Sequence, residues 1–490
     1  MPAEEHSHGG RSRNLVWLAI LVAWCTLVAT YTSPPRSLSS ARSRRVRVRV
    51  KSSTASGGTA LHAATTNPRT AVFLTNDPRD VVQHNSLNLT YAHMAMVEVC
   101  DGWEDDGFTR VVVAWQGSSG VEGARDQRLY FAVSSDNLGR VWNNAAPVPI
   151  PVLAGQWAPV LHWDAEKRRL WLFFSETSPS CMRRPTQATN STPALPERWV
   201  IGGAIKVTSY TLKHGWEEPR VVYSQDAAFG VPKLIANRVV VTSKGNWVIP
   251  FWQQKSWTKC SVRHAPAAAS GVLISTDRGR SWKAYGELTM QQHGTWAIEG
   301  TVAEWSPDRL VMLLRTSSNY IYQSTSEDGG RKWTDLAVTV LPNPDTKVSL
   351  LSLPPPSGAS SQVPAELLVA YNDHSKAEAS NSPPLRRRLR LAMSRDGGVT
   401  WRRVGSVDDR LADAAMMDSA RMLDDGDESA EVWKHYPTLA IARGGATILC
   451  AYSRAWHGDS LTTAWHDVKA GIWLEELSVR HLRAEYDARG

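Results

Sequence analysis

Residues 275–282 read STDRGRSW, residues 326–333 SEDGGRKW and residues 394–401 SRDGGVTW, so one pattern, Ser-x-Asp-x-Gly-x-x-Trp, is written three times. A fourth copy at 134–142, SSDNLGRVW, carries one inserted residue, and a fifth, LKHGW ending at Trp216, keeps only the glycine and the tryptophan. The tryptophans fall at 142, 216, 282, 333 and 401, in steps of 74, 66, 51 and 68 residues. Each box position has a local job. The aspartate accepts hydrogen bonds from the backbone N–H groups of a tight turn. The glycine supplies a positive φ, and the tryptophan is an apolar plug large enough to fill the space under the turn. Strand-like runs lead into the boxes: RLYFAVS, GVLIS, NYIYQSTS and RLRLAMS. Repeats of this size built from short strands predict a β-propeller, and a period of ~70 residues fits six blades into residues 71–481. Helical periodicity after residue 70 is confined to the acidic insert 408–431. The expected fold is all-β, a six-bladed propeller whose box aspartates Asp277, Asp328 and Asp396 are scaffold rather than chemistry.

Charge locates the polar character of the chain outside that propeller. The formal net charge is +8, but residues 1–51 hold nine basic and two acidic residues, so they carry +7 of it. The remainder is nearly neutral and offers no field for a polyanion, which excludes nucleic acid as the expected partner. Residues 15–29, LVWLAILVAWCTLVA, are continuously apolar and follow Arg11 and Arg13. This is a secretory signal peptide or a signal-anchor, shorter than the ~20 residues of an ordinary spanning helix. No small-x-small cleavage site follows, which favours an uncleaved anchor and single-pass membrane association through residues 15–31. The basic run from Arg36 to Lys51 opposes a luminal orientation by the positive-inside rule and also suits an organellar transit peptide. The expected order is a tail at 1–13, the apolar segment at 14–32, a Ser/Pro-rich basic stalk at 33–70 and the propeller at 71–481. The expected location is the secretory lumen or cell exterior, anchored or secreted, with organellar import as the alternative. Sequons at Asn88 and Asn190 suit that lumen. Cys100, Cys181, Cys260 and Cys450 permit two disulfides in three pairings, or four buried thiols.

Repeated Asp-boxes on a propeller resemble the sialidase superfamily, in particular its branch of bacterial, plant and protist Asp-box proteins, and the likeness covers most of residues 71–470. Between the boxes it extends to single residues. The segment WAIEGTVAEW followed by LVMLLRTSSNY supplies Glu299, Glu304 and Arg315. Glu299 matches the superfamily's catalytic glutamate and Arg315 one arginine of its substrate-binding triad. Eight residues before the box serine Ser394, within Arg-x-x-Leu, stands Arg386, inside the run Arg386–Arg388 that leaves the register open by a residue or two. HYPTLAIARGGATILCAYS places Tyr436 where the family's tyrosine opens the last blade. The acid/base carboxylate falls in GSSGVEGARDQRLYF, where Asp126 and Glu122 are both candidates. The superfamily's first-blade arginine has no counterpart: TYAHMAMVEV offers His93 instead, matching a histidine of the Asp-box branch.

The residue types fit the chemistry that the resemblance implies. A sialoside carries a carboxylate on its anomeric carbon, so an anionic nucleophile is repelled, whereas a tyrosine deprotonated by a glutamate as it attacks is not. Arginine forks grip a carboxylate bidentately. Tryptophans outside the boxes (Trp157, Trp252, Trp257, Trp296, Trp433) suit sugar faces or core packing. The implied function is a glycoside hydrolase removing a terminal acidic sugar, sialic acid first, through a Tyr436/Glu299 pair. Two alternatives stand beside it: a polysaccharide lyase or other glycosidase using His93 and Tyr436, and a glycan-binding propeller without turnover. No phosphate loop, dinucleotide fingerprint or metal motif is present, so no cofactor or metal is expected.

Overall fold

The computed structural model describes residues 71–73 and 89–489, except 90, 104–106, 138, 144, 186–195, 228–229, 255–259, 261–267, 291–294, 356–362, 375–385, 387, 408–430 and 458–470. The tail, the apolar segment, the stalk, Asn88, Asn190, Trp257 and nearly all of the acidic insert lie outside the described residues. Among the described residues no helix is long and apolar enough to cross a membrane.

Six antiparallel sheets stand radially around an axis, each running outward from a first strand. The first strands are Tyr91–Cys100, Gln156–Asp164, Lys233–Ile235 with Val240–Val241, Ala297–Ser306, Ser349–Leu353 and Glu431–Ala442, for blades 1 to 6 in order. They pack against one another round the hub. Ala71–Phe73 forms the outer edge of blade 6, pairing Ala71 with Glu475, Val72 with Leu474 and Phe73 with Trp473. The ring therefore closes by joining the two ends of the described chain in one sheet.

The boxes lie between third and outer strands and behave as turn fasteners. In blade 3, Ser281 N donates to Asp277 Oδ1 at 2.9 Å, Gly279 N to Ser275 Oγ at 2.8 Å and Trp282 Nε1 to Gly279 O at 3.2 Å. Blade 4 repeats this with Lys332 N on Asp328 Oδ1 at 2.8 Å and Trp333 Nε1 on Gly330 O at 2.8 Å. The box glycines adopt the left-handed φ the turn demands, 82° at Gly279 and 93° at Gly330. Buried apolar side chains form layers between neighbouring blades, such as Val112, Leu172 and Leu273 in one and Leu313, Val348 and Val369 in another.

Two expectations need correction. The domain does not stop at residue 481: helix α1, Val479–Ala488, is capped by Ser478 and buries Val479, Leu482 and Tyr486 against blades 5 and 6. The cysteines form neither two bridges nor four thiols. Cys181 and Cys260 are bonded, linking loops of blades 2 and 3, while Cys100 and Cys450 are free and buried.

Candidate active site

Strand direction decides which residues can meet. In an antiparallel blade, first strands start, second strands end and third strands start on one face, while the boxes, following third strands, lie on the other. Glu299 near the start of a first strand, Arg315 near the end of a second and Arg386 just before a third thus share the face opposite the boxes.

The first strands carry a second device there. The pairing register slips between His93 and Met96, Trp157 and Val160, Ile298 and Thr301, and His435 and Thr438, which marks a bulge in blades 1, 2, 4 and 6. Each bulge holds a non-glycine residue at positive φ: Met94 at 58°, Ala158 at 46°, Glu299 at 52° and Tyr436 at 57°. Such a conformation costs roughly 1–2 kcal/mol per residue, so it persists only where surrounding contacts enforce it. Those contacts cross between blades. Asn237 Nδ2 of blade 3 donates to Glu299 O and Gly300 O, both at 3.1 Å. Lys347 Nζ, entering blade 5, donates to Pro437 O at 2.5 Å and Thr438 Oγ1 at 3.0 Å. Thr438 Oγ1 donates in turn to Ala95 O at 2.8 Å, and Ala158 N donates to Gln116 Oε1 at 2.8 Å. Glu299 and Tyr436 are thereby aimed into the hub.

There, Arg315 Nη1 donates to Glu299 Oε2 at 2.9 Å and to Tyr436 OH at 2.6 Å, while its Nε donates to Asp345 Oδ1 at 2.7 Å. Arg386 Nη2 donates to Asp345 O at 2.7 Å, and its guanidinium lies over the rings of Trp433 and Tyr436 at 5.6 and 5.7 Å. Arg386 Nε is buried with no partner among the described residues. His93 rests against the Tyr436 ring, centroids 4.1 Å apart, with Nδ1 2.9 Å from Ser453 Oγ. Met94, Trp157, Leu234, Trp252 and Ile298 form a buried apolar cluster with Tyr436. At the rim, Trp296 donates Nε1 to Asp345 Oδ1 at 3.3 Å.

The two candidate carboxylates, Asp126 and Glu122, separate cleanly in space. Asp126 is exposed and its carboxylate accepts from Ser119 N at 2.8 Å, fastening its own loop. Glu122 points inward, where Gln116 Nε2 reaches it at 3.3 Å, and it bonds with Tyr91. The hub thus gathers Tyr436, Glu299, Arg315, Arg386, His93 and Glu122 and leaves Asp126 outside. Sequence reasoning missed Asn237, Asp345 and Lys347, whose roles rest on contacts across blades. Lys347 is buried close by, with its ammonium turned to the Tyr436 bulge.

Burial sets the protonation states. It raises the Tyr436 phenol well above its ordinary value, against the positive charge of Arg315. Glu122 is also raised, by burial first, with the Tyr91 hydrogen bond opposing and Glu299 adding to the rise. His93 is lowered to about 3 by burial and by the charges of Arg386, Lys347 and Arg315. Lys347 is lowered to about 7 by burial, with Glu299 opposing. His435, neither of whose ring nitrogens has a partner among the described residues, is lowered well below its ordinary value by burial and then by His93.

A histidine held neutral in the fold takes up a proton on unfolding once the pH drops below its unfolded pKa, so stability falls on acidification from ~6.5. Between pH 7 and 5 each of His93, His162 and His435 should withdraw up to about 2 kcal/mol, with the raised Glu98 and Glu122 acting in the opposite sense. His435→Phe should remove one such contribution. Urea unfolding at both pH values reads this, and an equal acid loss in wild type and variant would contradict it.

Comparison with known proteins adds the following. The family described as BNR repeat-like domain matches residues 109–449. Among solved structures, a Hadza microbial sialidase is 16% identical with a TM-score of 0.54, covering 79% of this chain and 66% of its own. A protein of unknown function from Dyadobacter fermentans DSM 18053 is 13% identical, TM-score 0.54, covering 84% of this chain and 98% of its own. A Trypanosoma rangeli sialidase in complex with 2,3-difluorosialic acid, described as a covalent intermediate, is 13% identical, TM-score 0.56, covering 86% of this chain and 60% of its own. This chain thus spans slightly less than two thirds of either sialidase. At such identities the likeness is one of fold. A search of curated proteins finds no match.

Proposed function

The chain belongs to the BNR repeat-like domain family, and from that premise we propose that it is a sialidase-like glycoside hydrolase that removes a terminal acidic sugar, sialic acid first, from glycoconjugates. One observation carries the reading: a single guanidinium nitrogen, Arg315 Nη1, holds both the Glu299 carboxylate and the Tyr436 hydroxyl. Arg315 and Arg386 take the sugar carboxylate, and the unpartnered Arg386 Nε is a buried donor that such an acceptor would satisfy. Glu299 draws the phenolic proton as Tyr436 attacks the anomeric carbon. The glycosidic bond breaks as the acid, Glu122 in preference to Asp126, gives its proton to the leaving oxygen. Water then cleaves the glycosyl–tyrosine bond, its proton passing to the now ionised Glu122, while Glu299 returns its proton to the departing phenolate oxygen of Tyr436. The high phenol pKa keeps Tyr436 neutral until it reacts, which spares it repulsion from the substrate carboxylate. Burial raises Glu122, which favours the protonated form that an acid needs.

A second reading is favoured by His93, which stands where the superfamily has an arginine and packs its ring, tilted, against that of Tyr436. That pair suits proton abstraction and return in the elimination of a uronate polymer. One experiment separates them. Full-length protein is assayed on a fluorogenic sialoside and, in parallel, on uronate polymers followed by the absorbance of an unsaturated product. Sialoside hydrolysis lost in Glu299→Gln supports the hydrolase. Unsaturated product selects the lyase, and binding without turnover selects a glycan-binding propeller.

A further inference from the structure

Blade 1 repeats at the hub, with different residues, the clasp that blade 4 makes. In blade 4 the pair before the register slip is Ile298 opposite Arg315, and in blade 1 it is His93 opposite Gln116. Gln116 therefore takes the place of Arg315, on the second strand, level with the residue that precedes the bulge. Both side chains join a carboxyl group to a phenol. Arg315 Nη1 holds Glu299 at 2.9 Å and Tyr436 at 2.6 Å. Gln116, 1% exposed, donates from Nε2 to Tyr91 OH at 3.0 Å and to Glu122 Oε1 at 3.3 Å, and Tyr91 is itself hydrogen-bonded to Glu122. The other end of the amide, Oε1, accepts from Ala158 N in the blade 2 bulge at 2.8 Å, so Gln116 cannot turn without giving up that bond.

The two clasps differ in charge. A guanidinium favours the ionised carboxylate that a base needs, whereas an amide orients a carboxyl group and sets no positive charge beside it. Tyr91 belongs to the neutral clasp: burial, and then the charge of Glu122, push its phenol well above the ordinary value, so it keeps its proton and donates it in a hydrogen bond. Of the charges that face Glu122, Glu299 raises it and Arg198 of blade 2 lowers it. The backbone of the loop is fixed separately. Trp199, in the hairpin that pairs Met182–Arg183 with Arg198–Trp199, donates its N to Gly123 O at 2.7 Å and its Nε1 to Arg125 O at 3.2 Å. With the chain pinned just after Glu122, what remains to be set is the direction of the carboxyl group.

We propose, resting on the hydrolase reading, that Tyr91, bridged by Gln116, is a positioning residue that aims the Glu122 carboxyl group at the leaving-group oxygen. Tyr91→Phe is the test, because it keeps the ring beside His93, 5.9 Å between centroids, and removes only the hydroxyl. On the full chain, kcat/KM is compared for a nitrophenyl sialoside, whose leaving group needs little protonation, and for methyl sialoside, whose leaving group needs much. A misaimed acid should cost the methyl substrate at least ~tenfold more than the nitrophenyl one, within the roughly 10²–10⁴ that acid–base catalysis supplies. The alkaline limb of the pH profile should move to higher pH, because the lost hydrogen bond favoured the ionised carboxylate. Equal losses on the two substrates, or a limb that stays or moves down, would reduce Tyr91 to packing and overturn the proposal. Should wild type hydrolyse neither substrate, the hydrolase reading fails by itself, and the clasp is judged by pH-difference infrared spectra. The carboxyl band that Glu122→Gln removes should titrate at higher pH in Tyr91→Phe than in wild type, and an unmoved midpoint would overturn the clasp.

Discussion

Tyr436→Phe is expected to lower sialoside turnover by roughly 10³- to 10⁶-fold, the range seen when a covalent nucleophile is removed. The fold should hardly notice. The variant keeps the ring that packs against His93 and under Arg386 and loses only the hydroxyl bonded to Arg315 Nη1 at 2.6 Å. One such bond contributes about 1 kcal/mol. Glu299→Gln should produce a loss of similar size, and the double variant should be little worse than either single one, because groups acting in one step are not additive. Turnover of Tyr436→Phe near the wild-type rate in the same assay would remove the tyrosyl mechanism.

Arg315→Met is the second large effect, and it strikes stability as well as activity. Arg315 lies between the buried Glu299 and the partly buried Asp345, so its loss leaves one buried and one partly buried carboxylate without their cation. Breaking a buried pair from one side costs about 3–5 kcal/mol. Burial pushes the Asp345 carboxyl up, but the charge and hydrogen bond of Arg315 hold it below the ordinary range, a hold the variant releases. Adding Asp345→Asn should therefore recover part of the stability and none of the activity. Urea unfolding at pH 7 checks both, and a single-variant loss under about 1 kcal/mol would show that the carboxylates are solvated rather than buried.

The fold was readable because its signal is local. Ser275, Asp277, Gly279 and Trp282 lie within eight residues and bond to one another, so their spacing alone describes the turn. Arg386 is legible by its spacing from such a box, and Glu299, Arg315 and Tyr436 by the segments that resemble the sialidase superfamily. What positions them was not legible. Asn237 is 62 residues from Glu299, and Lys347 is 90 from Pro437. Nothing local distinguishes these side chains from other polar residues near a strand. The bulges are hidden for a different reason: an apolar strand with one residue in the left-handed region has the same composition as one without. The choice between Glu122 and Asp126 needed the loop itself, since four residues in a turn send one carboxylate to the hub and the other to solvent. Helix α1 had a readable stripe in Val479, Leu482 and Tyr486, but it is short and follows the last strand without a break.

The most direct measurement is intact and peptide-level mass spectrometry of the full chain after incubation with 2,3-difluorosialic acid, alongside Tyr436→Phe. A single glycosyl adduct is predicted on the peptide carrying Tyr436, absent from the variant. Sialoside turnover without any adduct, or an adduct on another residue such as Glu299, would contradict a tyrosine nucleophile at this hub.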